Sequence, residues 1–244
     1  MVKLYFIAFG DGEVSGCNTE ALSPSVREKI EKTTDEKTKR DRIITYLFLE
    51  EKIEEMKMEL CRASGKRFFS DRFKLEIDFT EKGKPFIKGI DCGISVSHTD
   101  GGALVAISLV KFFRIGVDIE KKCEKSAATA EGFIKRRLAL GDLPILSFEK
   151  TGDFISLESY KFTGGVFEKI PEKYIILNQS SICAIEKWCA LEALLKLDGG
   201  GFSSLSHLEN LKTENDCYSA SLKNGDDTYA ISVATEKTVC RAEI

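Results

Sequence analysis

A long helical pattern, a loop and then a β-hairpin pattern occur in that order twice along this 244-residue chain. In the first copy, apolar residues recur at helical spacing from about residue 35 to residue 61, and β-rich runs follow. In the second copy, a patterned helix over 181–197 precedes two strands. The last hairpin strands contain Val-Ala-Ile-Ser at 105–108 and Tyr-Ala-Ile-Ser at 229–232. The repetition predicts an α+β fold of two similar halves, each a long helix packed on a small, mainly antiparallel sheet.

The boundary between the two predicted halves falls near residues 111–115, after the first hairpin. We therefore expect an N-terminal half over residues 1–112 and a C-terminal half over residues 113–244. Within the second half, residues 152–177 carry short strand patterns around a Gly-Gly pair at 164–165, which indicates a further hairpin.

Charge and cysteine content argue against several classes of protein. The net charge of -3 gives no basic surface of the kind that binds nucleic acid. Eight scattered cysteines with no C-x-x-C pair, and only two histidines, disfavour zinc. The sequence contains neither a secretory leader pattern nor an apolar run long enough to cross a bilayer. We therefore expect a cytoplasmic protein with reduced thiols and no membrane or nucleic-acid partner.

Two carboxylates lie two residues apart in the segment Gly-Val-Asp-Ile-Glu at 116–120. On a strand, this spacing puts Asp118 and Glu120 on the same face, within reach of one ion. Mg²⁺ is commonly held by one or two carboxylates together with phosphate oxygens, so the pair suits a diphosphate substrate. The alternative is an edge strand with a polar outer face.

A third carboxylate lies on the predicted second-half helix, where Trp188, Glu192 and Lys196 share one face. Taken alone, Glu192 and Lys196 form an ordinary i,i+4 pair. If they converge on Asp118 and Glu120, they complete a pocket for a metal ion and a diphosphate.

Two upstream segments offer hydrogen-bond donors to phosphate. Ser97, His98 and Thr99 end a strand pattern just before a glycine turn, and Lys84 lies in a Lys-Gly-Lys-Pro loop at 82–85. A structural histidine and an ordinary turn are the alternatives.

Taken in order, Gly-Lys-Pro at 83–85, Ser-His-Thr at 97–99, Gly-Val-Asp-Ile-Glu at 116–120 and Trp-x-x-x-Glu-Ala-x-x-Lys at 188–196 resemble the successive signatures of the 4′-phosphopantetheinyl transferases. The longer, surfactin-synthetase-activating type is the one resembled, over about residues 82–201. The resemblance implies Mg²⁺-dependent transfer of 4′-phosphopantetheine from coenzyme A to a serine of an apo carrier protein or carrier domain. It also implies release of 3′,5′-adenosine diphosphate, and a monomer with internal pseudo-twofold symmetry.

The resemblance also implies residue roles. It assigns magnesium to Asp118, Glu120 and Glu192, the diphosphate to Lys196, and the 3′-phosphate of coenzyme A to Lys84, Ser97 and His98. Deprotonating the serine needs a base, for which Glu192, or a metal-bound water that it positions, is the candidate. Basic residues early in the first helix add phosphate contacts in the family, for which Lys39 and Arg40 are the candidates.

Three features depart from the family pattern. Leu191 replaces a lysine, Thr99 replaces a serine, and residues 152–177 lie where an insertion is implied. If position 191 borders the pocket, Leu191→Lys should raise the transfer rate; if it lies in the core, the change should only destabilise the fold. Leu191 also keeps open a second function, an inactive relative that binds carrier proteins. A third, another magnesium-dependent diphosphate enzyme, lacks the expected G-x-x-x-x-G-K-[ST] loop.

Overall fold

The computed structural model describes residues 1–10, 17, 19–65, 74–137, 145–147, 155–170, 176–177 and 183–237. They form an α+β structure, which confirms the predicted class. No helix in these ranges is long and apolar enough to cross a membrane.

The elements alternate along the chain. The strands are β1 Val2–Phe9, β2 Ile77–Phe79, β3 Pro85–Ile87, β4 Cys92–Thr99, β5 Gly102–Lys111, β6 Ile115–Lys121, β7 Ile145–Ser147, β8 Ile155–Thr163, β9 Val166–Ile170, β10 Ile176–Leu177, β11 Asn215–Asn224 and β12 Asp227–Glu236. The helices are α1 Pro24–Glu31, α2 Glu36–Glu55, α3 Lys57–Ala63, α4 Glu124–Arg137, α5 Ala184–Asp198 and α6 Leu208–Glu214.

The first sheet has the strand order β4-β5-β1-β8-β9. Strand β5 pairs antiparallel with both β4 and β1, whereas β8 runs parallel to β1. Helix α2 begins after Asp35, whose side chain accepts a 2.7 Å hydrogen bond from the amide of Thr38 as an N-cap. Its Ile44, Phe48 and Leu49 are fully buried in one core with side chains of β1 and β5. Burial of this apolar stripe fixes the helix on the sheet.

The second sheet has the strand order β10-β11-β12-β6, with β7 beside β11. Helix α5 packs against β6, β11 and β12. The two sheets share a core, because Val2, Leu4 and Phe6 of β1 pack with residues of β6 and β12. Edge strands β4 and β6 lie side by side, and Ser95 Oγ accepts a 3.1 Å hydrogen bond from the amide of Val117.

The same connectivity occurs in both sheets. In the first sheet, β1 is followed along the chain by the long helix α2 and the hairpin β4–β5, and β5 pairs antiparallel with β1. In the second sheet, β6 is followed by the long helix α5 and the hairpin β11–β12, and β12 pairs antiparallel with β6. The similar tetrapeptides at 105–108 and 229–232 lie in the corresponding strands β5 and β12.

Three features differ from the sequence-based expectation. The predicted helix over 35–61 is two helices, since α2 ends at Glu55 and α3 begins at Lys57. The loop at 82–85 lies at the turn of a short hairpin, β2–β3, which the sequence pattern did not indicate. The hairpin expected within 152–177 is β8–β9, but it extends the sheet of the first half through β8 and β1. Residues 152–154 and 171–175 of that segment lie outside the described ranges.

Candidate functional site

A cavity of about 420 Å³ lies between the two halves. One wall consists of α1, α2, the turn between β2 and β3, and the end of β4. The opposite wall consists of β6 and α5. Every segment that carries the family resemblance contributes to this lining, although the segments span more than one hundred residues of sequence.

The acidic wall depends on a close approach of α5 to β6. A Cβ atom at Gly116 would lie 2.0 Å from the carbonyl oxygen of Ala193 and 2.4 Å from the amide nitrogen of Leu197. Glycine is therefore required because the helix backbone rests directly on the strand. Two residues further along β6, Asp118 faces the same helix, beside Lys196.

Asp118 is the centre of a buried polar network. The ammonium of Lys196 donates to Asp118 Oδ1 at 2.6 Å and to Ser97 Oγ at 2.7 Å, and Ser97 Oγ donates to the same carboxylate oxygen at 2.7 Å. Asp118 Oδ2 is buried and has no hydrogen-bond partner among the described residues. Thr99 Oγ1 donates to Glu120 Oε2 at 3.4 Å. Asp118 Oδ1 thus accepts two hydrogen bonds, whereas Oδ2 accepts none from the described residues.

Asp118 disfavours the negative charge of the two glutamates on this wall. Burial and then the charge of Asp118 raise the pKa of Glu120 to about 7. The same two causes, in the same order, raise the pKa of Glu192. Burial by itself would lower the pKa of Lys196, but Asp118 together with Glu192 outweighs it, so that pKa lies above its ordinary value. Three acidic groups and one ammonium leave the wall short of positive charge.

The donor set suits a hard divalent cation, but the side chains are not arranged as a closed cage. All three candidate ligands are carboxylates, and Asp118 supplies a buried oxygen with no partner among the described residues. Among all the residues that the structure describes, no group of three acidic, histidine or cysteine side chains is placed to hold a metal ion. Asp118 Oδ1 is already ion-paired with the ammonium of Lys196 at 2.6 Å.

The opposite wall is basic. Lys29 of α1, Arg42 of α2, Lys82 of the β2–β3 turn and His98 of β4 line it. Burial and then Arg42 lower the pKa of Lys29 to about 8. Burial, followed by Arg42 and Lys196, lowers the pKa of His98 to about 4, so the imidazole is neutral near pH 7. The cavity therefore has a cationic side and an anionic side.

No protein-family model and no curated protein matches this chain.

The structure brings together most of the predicted site residues. Those that line the cavity are Lys84, Ser97, His98, Asp118, Glu120, Glu192 and Lys196. Lys84 is bonded differently from expectation, because its ammonium donates to the carbonyl oxygen of Leu197 at 2.6 Å.

Lys39 and Arg40 are not placed in the cavity. Within the described residues, its lining includes neither of them. The ammonium of Lys39 lies 4.0 Å from a carboxylate oxygen of Glu36, and the guanidinium of Arg40 donates to the carbonyl of Gly10 at 2.6 Å. Arg40 is two residues before Arg42 and therefore points to the opposite side of the helix. Lys39 is three residues before Arg42 and shares its side, but it lies one turn nearer the start of α2, where its ammonium is beside Glu36 instead.

Arg42 and Lys29 are the lining cations that sequence reasoning missed. Arg42, Thr45 and Tyr46 of α2 all line the cavity. Their i, i+3, i+4 spacing identifies one polar helix face, and that pattern was the available signal. Lys29 had no comparable signal, since the helix α1 that carries it was not predicted.

Leu191 belongs to the core. It is fully buried in one cluster with Ala190, Leu194 and Leu195. Of the two alternatives for position 191, the structure therefore supports the core, because the helix directs this side chain away from the face of Glu192.

Proposed function

We propose that this protein transfers the 4′-phosphopantetheine moiety of coenzyme A to a serine of an apo carrier protein. The observation that carries the proposal is the convergence of the four resembling segments on one cavity. They come from different elements and from both halves, so separate structural roles would not require them to meet.

The charges of the two walls suit the two ends of such a substrate. Lys29, Arg42 and Lys82 provide cations for the phosphate on the ribose, and His98 provides a neutral hydrogen-bond donor beside them. The carboxylates across the cavity face the diphosphate. A volume of about 420 Å³ is within the ordinary range for small-molecule sites.

Asp118, Glu120 and Glu192 would hold the magnesium ion. Bound there with the diphosphate, it would neutralise charge that develops on the phosphate oxygens. The oxygen of Asp118 that has no partner among the described residues supports this assignment. So do the pKa values of Glu120 and Glu192, which burial and then the charge of Asp118 raise, because a cation would stabilise these buried negative charges.

Two side chains of this protein, Lys196 and Glu192, act directly in the transfer step. The serine hydroxyl of the carrier attacks the β-phosphorus of coenzyme A, and the bond from that phosphorus to the oxygen of 3′,5′-adenosine diphosphate breaks. Lys196 donates to a diphosphate oxygen and so stabilises the charge on the leaving group. Glu192 is the carboxylate of this wall that we assign to accept the serine proton.

The decisive experiment is incubation with coenzyme A, Mg²⁺ and an apo carrier protein, followed by measurement of the carrier's mass. We expect the mass to rise by one phosphopantetheine group. Asp118→Asn and Glu192→Gln should each reduce the rate roughly a hundredfold or more, as loss of a group that stabilises the transition state does. Glu168→Gln, at an exposed position on β9, is the matched control. An unmodified carrier, or full activity in both site variants, would refute the proposal.

A second candidate is a module that binds carrier proteins without modifying them. The 2.6 Å ion pair between Lys196 and Asp118 favours it, because this pair already neutralises part of the acidic wall. In the same assay, such a module would retain the apo carrier with no change in mass. Release of 3′,5′-adenosine diphosphate without a carrier would instead indicate a diphosphate hydrolase.

A further inference from the structure

Three hydrogen bonds hold the turn that contains Lys84. The amide of Gly83 donates to the carbonyl of Thr80 at 2.8 Å, and the amide of Thr80 donates to the carbonyl of Lys84 at 2.9 Å. Thr80 Oγ1 also accepts from the amide of Lys84 at 3.1 Å. Pro85 follows and restricts the backbone further. The origin of the Lys84 side chain is therefore fixed with respect to the first half.

From this turn, Lys84 reaches across the cavity to the end of α5. Its ammonium donates at 2.6 Å to the carbonyl of Leu197, one of the final carbonyls that the helix itself leaves without a partner. A cation at this position also interacts favourably with the helix dipole.

Gly199 makes room for the lysine stem. A Cβ atom there would lie 3.0 Å from Lys84 Cδ, and the residue has a φ of +77° in the left-handed region. The amide of Gly199 closes the helix on the carbonyl of Leu195 at 3.0 Å. The end of the helix and the lysine are thus fitted to one another.

The opposite end of α5 is anchored within its own half. Glu186 accepts from the ammonium of Lys122 at 2.6 Å, from Ser221 Oγ at 3.0 Å and from the amide of Cys183 at 2.9 Å. Lys84 instead supplies a contact from the first half, one residue beyond Lys196.

We propose that Lys84 is a positioning residue, which holds the last turn of α5, and with it Lys196 and Glu192, at the correct distance from the first half. This inference rests on the proposed transferase function for its kinetic consequence. It departs from the role that the family resemblance implies, in which Lys84 grips the 3′-phosphate.

The test compares Lys84→Met with Lys82→Met and Lys84→Arg. Lys82 lies on the same turn and lines the same cavity, but it makes no hydrogen bond or ion pair within the described part of the chain. Arginine at 84 can still donate to the carbonyl of Leu197. Transfer rates are measured with coenzyme A and with 3′-dephospho-coenzyme A, and hydrogen exchange is measured at the amides of residues 195–199.

We expect Lys84→Met to lower kcat roughly tenfold to a hundredfold with both ligands, and to leave the ratio of their KM values unchanged. Exchange in the last turn of α5 should accelerate by a similar factor. Lys84→Arg should restore both properties. Lys82→Met should leave exchange unchanged and should weaken binding of coenzyme A more than that of the dephospho ligand.

A loss confined to coenzyme A, with unchanged exchange in Lys84→Met, would overturn the inference and return Lys84 to the phosphate site. If the wild-type protein shows no transfer, the proposed function fails, and the exchange measurement still decides whether Lys84 holds the helix. If Lys84→Met does not fold, Lys84→Gln serves instead, since its side chain is too short to reach the carbonyl.

Discussion

Glu120 is a carboxyl group whose charge is opposed by the folded structure. Its pKa is raised from 4.5 to about 7, so the metal-free folded state binds the proton more tightly than the unfolded chain does. The contribution of Glu120 to the free energy of unfolding should therefore fall as pH rises from about 4.5 through about 7, and level off above that range. His98, whose pKa is lowered to about 4, contributes with the opposite sign over part of this range, so the contribution of Glu120 is read as a difference between variants.

Glu120→Gln should remove the contribution of Glu120, which then appears as the difference between the stability curves of wild type and variant. The variant carries no charge at position 120, so it should be more stable than wild type at pH 8 and equal to it below about pH 4.5. Denaturant unfolding in a chelating buffer across this range measures both. The exposed Glu168→Gln is the control and should follow wild type. Parallel curves for wild type and Glu120→Gln would contradict the buried charge.

Leu191 tests which side of α5 faces the cavity. Lysine in its fully buried place would put an unpaired charge among leucines, and we expect a loss of about 3–5 kcal/mol in the free energy of unfolding. Leu191→Met keeps the volume and should cost less than about 1.5 kcal/mol. Urea denaturation distinguishes them. Equal stability combined with faster transfer would place residue 191 at the cavity after all.

At the scale of elements, the distance between α5 and β6 determines whether Lys196 can reach Asp118. Gly116→Ala would force the helix outwards, because the added Cβ would lie 2.0 Å from the carbonyl of Ala193. We expect a loss of about 1–3 kcal/mol in stability. The transfer rate should fall with it, since the ion pair now at 2.6 Å would lengthen.

The control for this change is Gly164→Ala, at the β8–β9 turn. That glycine has a φ of +60°, and an added Cβ atom would meet nothing within 4 Å among the described residues, so only backbone strain of about 1–2 kcal/mol is expected. Thermal unfolding and the carrier-mass assay should show a slower transfer in Gly116→Ala alone. An unchanged transfer rate would mean that α5 can shift without disturbing the site.

At the scale of the whole molecule, the β8–β9 hairpin belongs to the core of the first half. Phe162 is 2% exposed and packs beside Phe167, whose ring centroid lies 5.0 Å from that of Phe48 on α2. Phe162→Ala should therefore cost about 3–5 kcal/mol of stability. Val166→Ala, at a residue that is 58% exposed, should change it by less than about 0.5 kcal/mol. A small loss of stability for Phe162→Ala, measured by denaturant unfolding, would mean that the hairpin contributes little to this core.

The sequence pattern predicted the elements whose signals are local. The β4–β5 hairpin with its glycine turn, helix α5 and the final hairpin all occur where periodicity and turn residues indicated them. The break between α2 and α3 at Met56 had no such signal, since neither glycine nor proline marks it.

The residues of the candidate site also fall into those with a local signal and those without one. Side chains that one element orients, such as Asp118 with Glu120, or Trp188, Glu192 and Lys196, could be grouped from spacing alone, because strand and helix geometry fix which residues share a face. The sequence by itself therefore determined the class of fold and the two clusters of candidate residues. The tertiary structure decided which cations join them: it brought Arg42 and Lys29 to the cavity, left Lys39 and Arg40 outside it, and directed Lys84 to the end of α5. Those outcomes depend on how helices rotate and pack against distant strands, and packing between distant segments leaves no periodic trace in the chain.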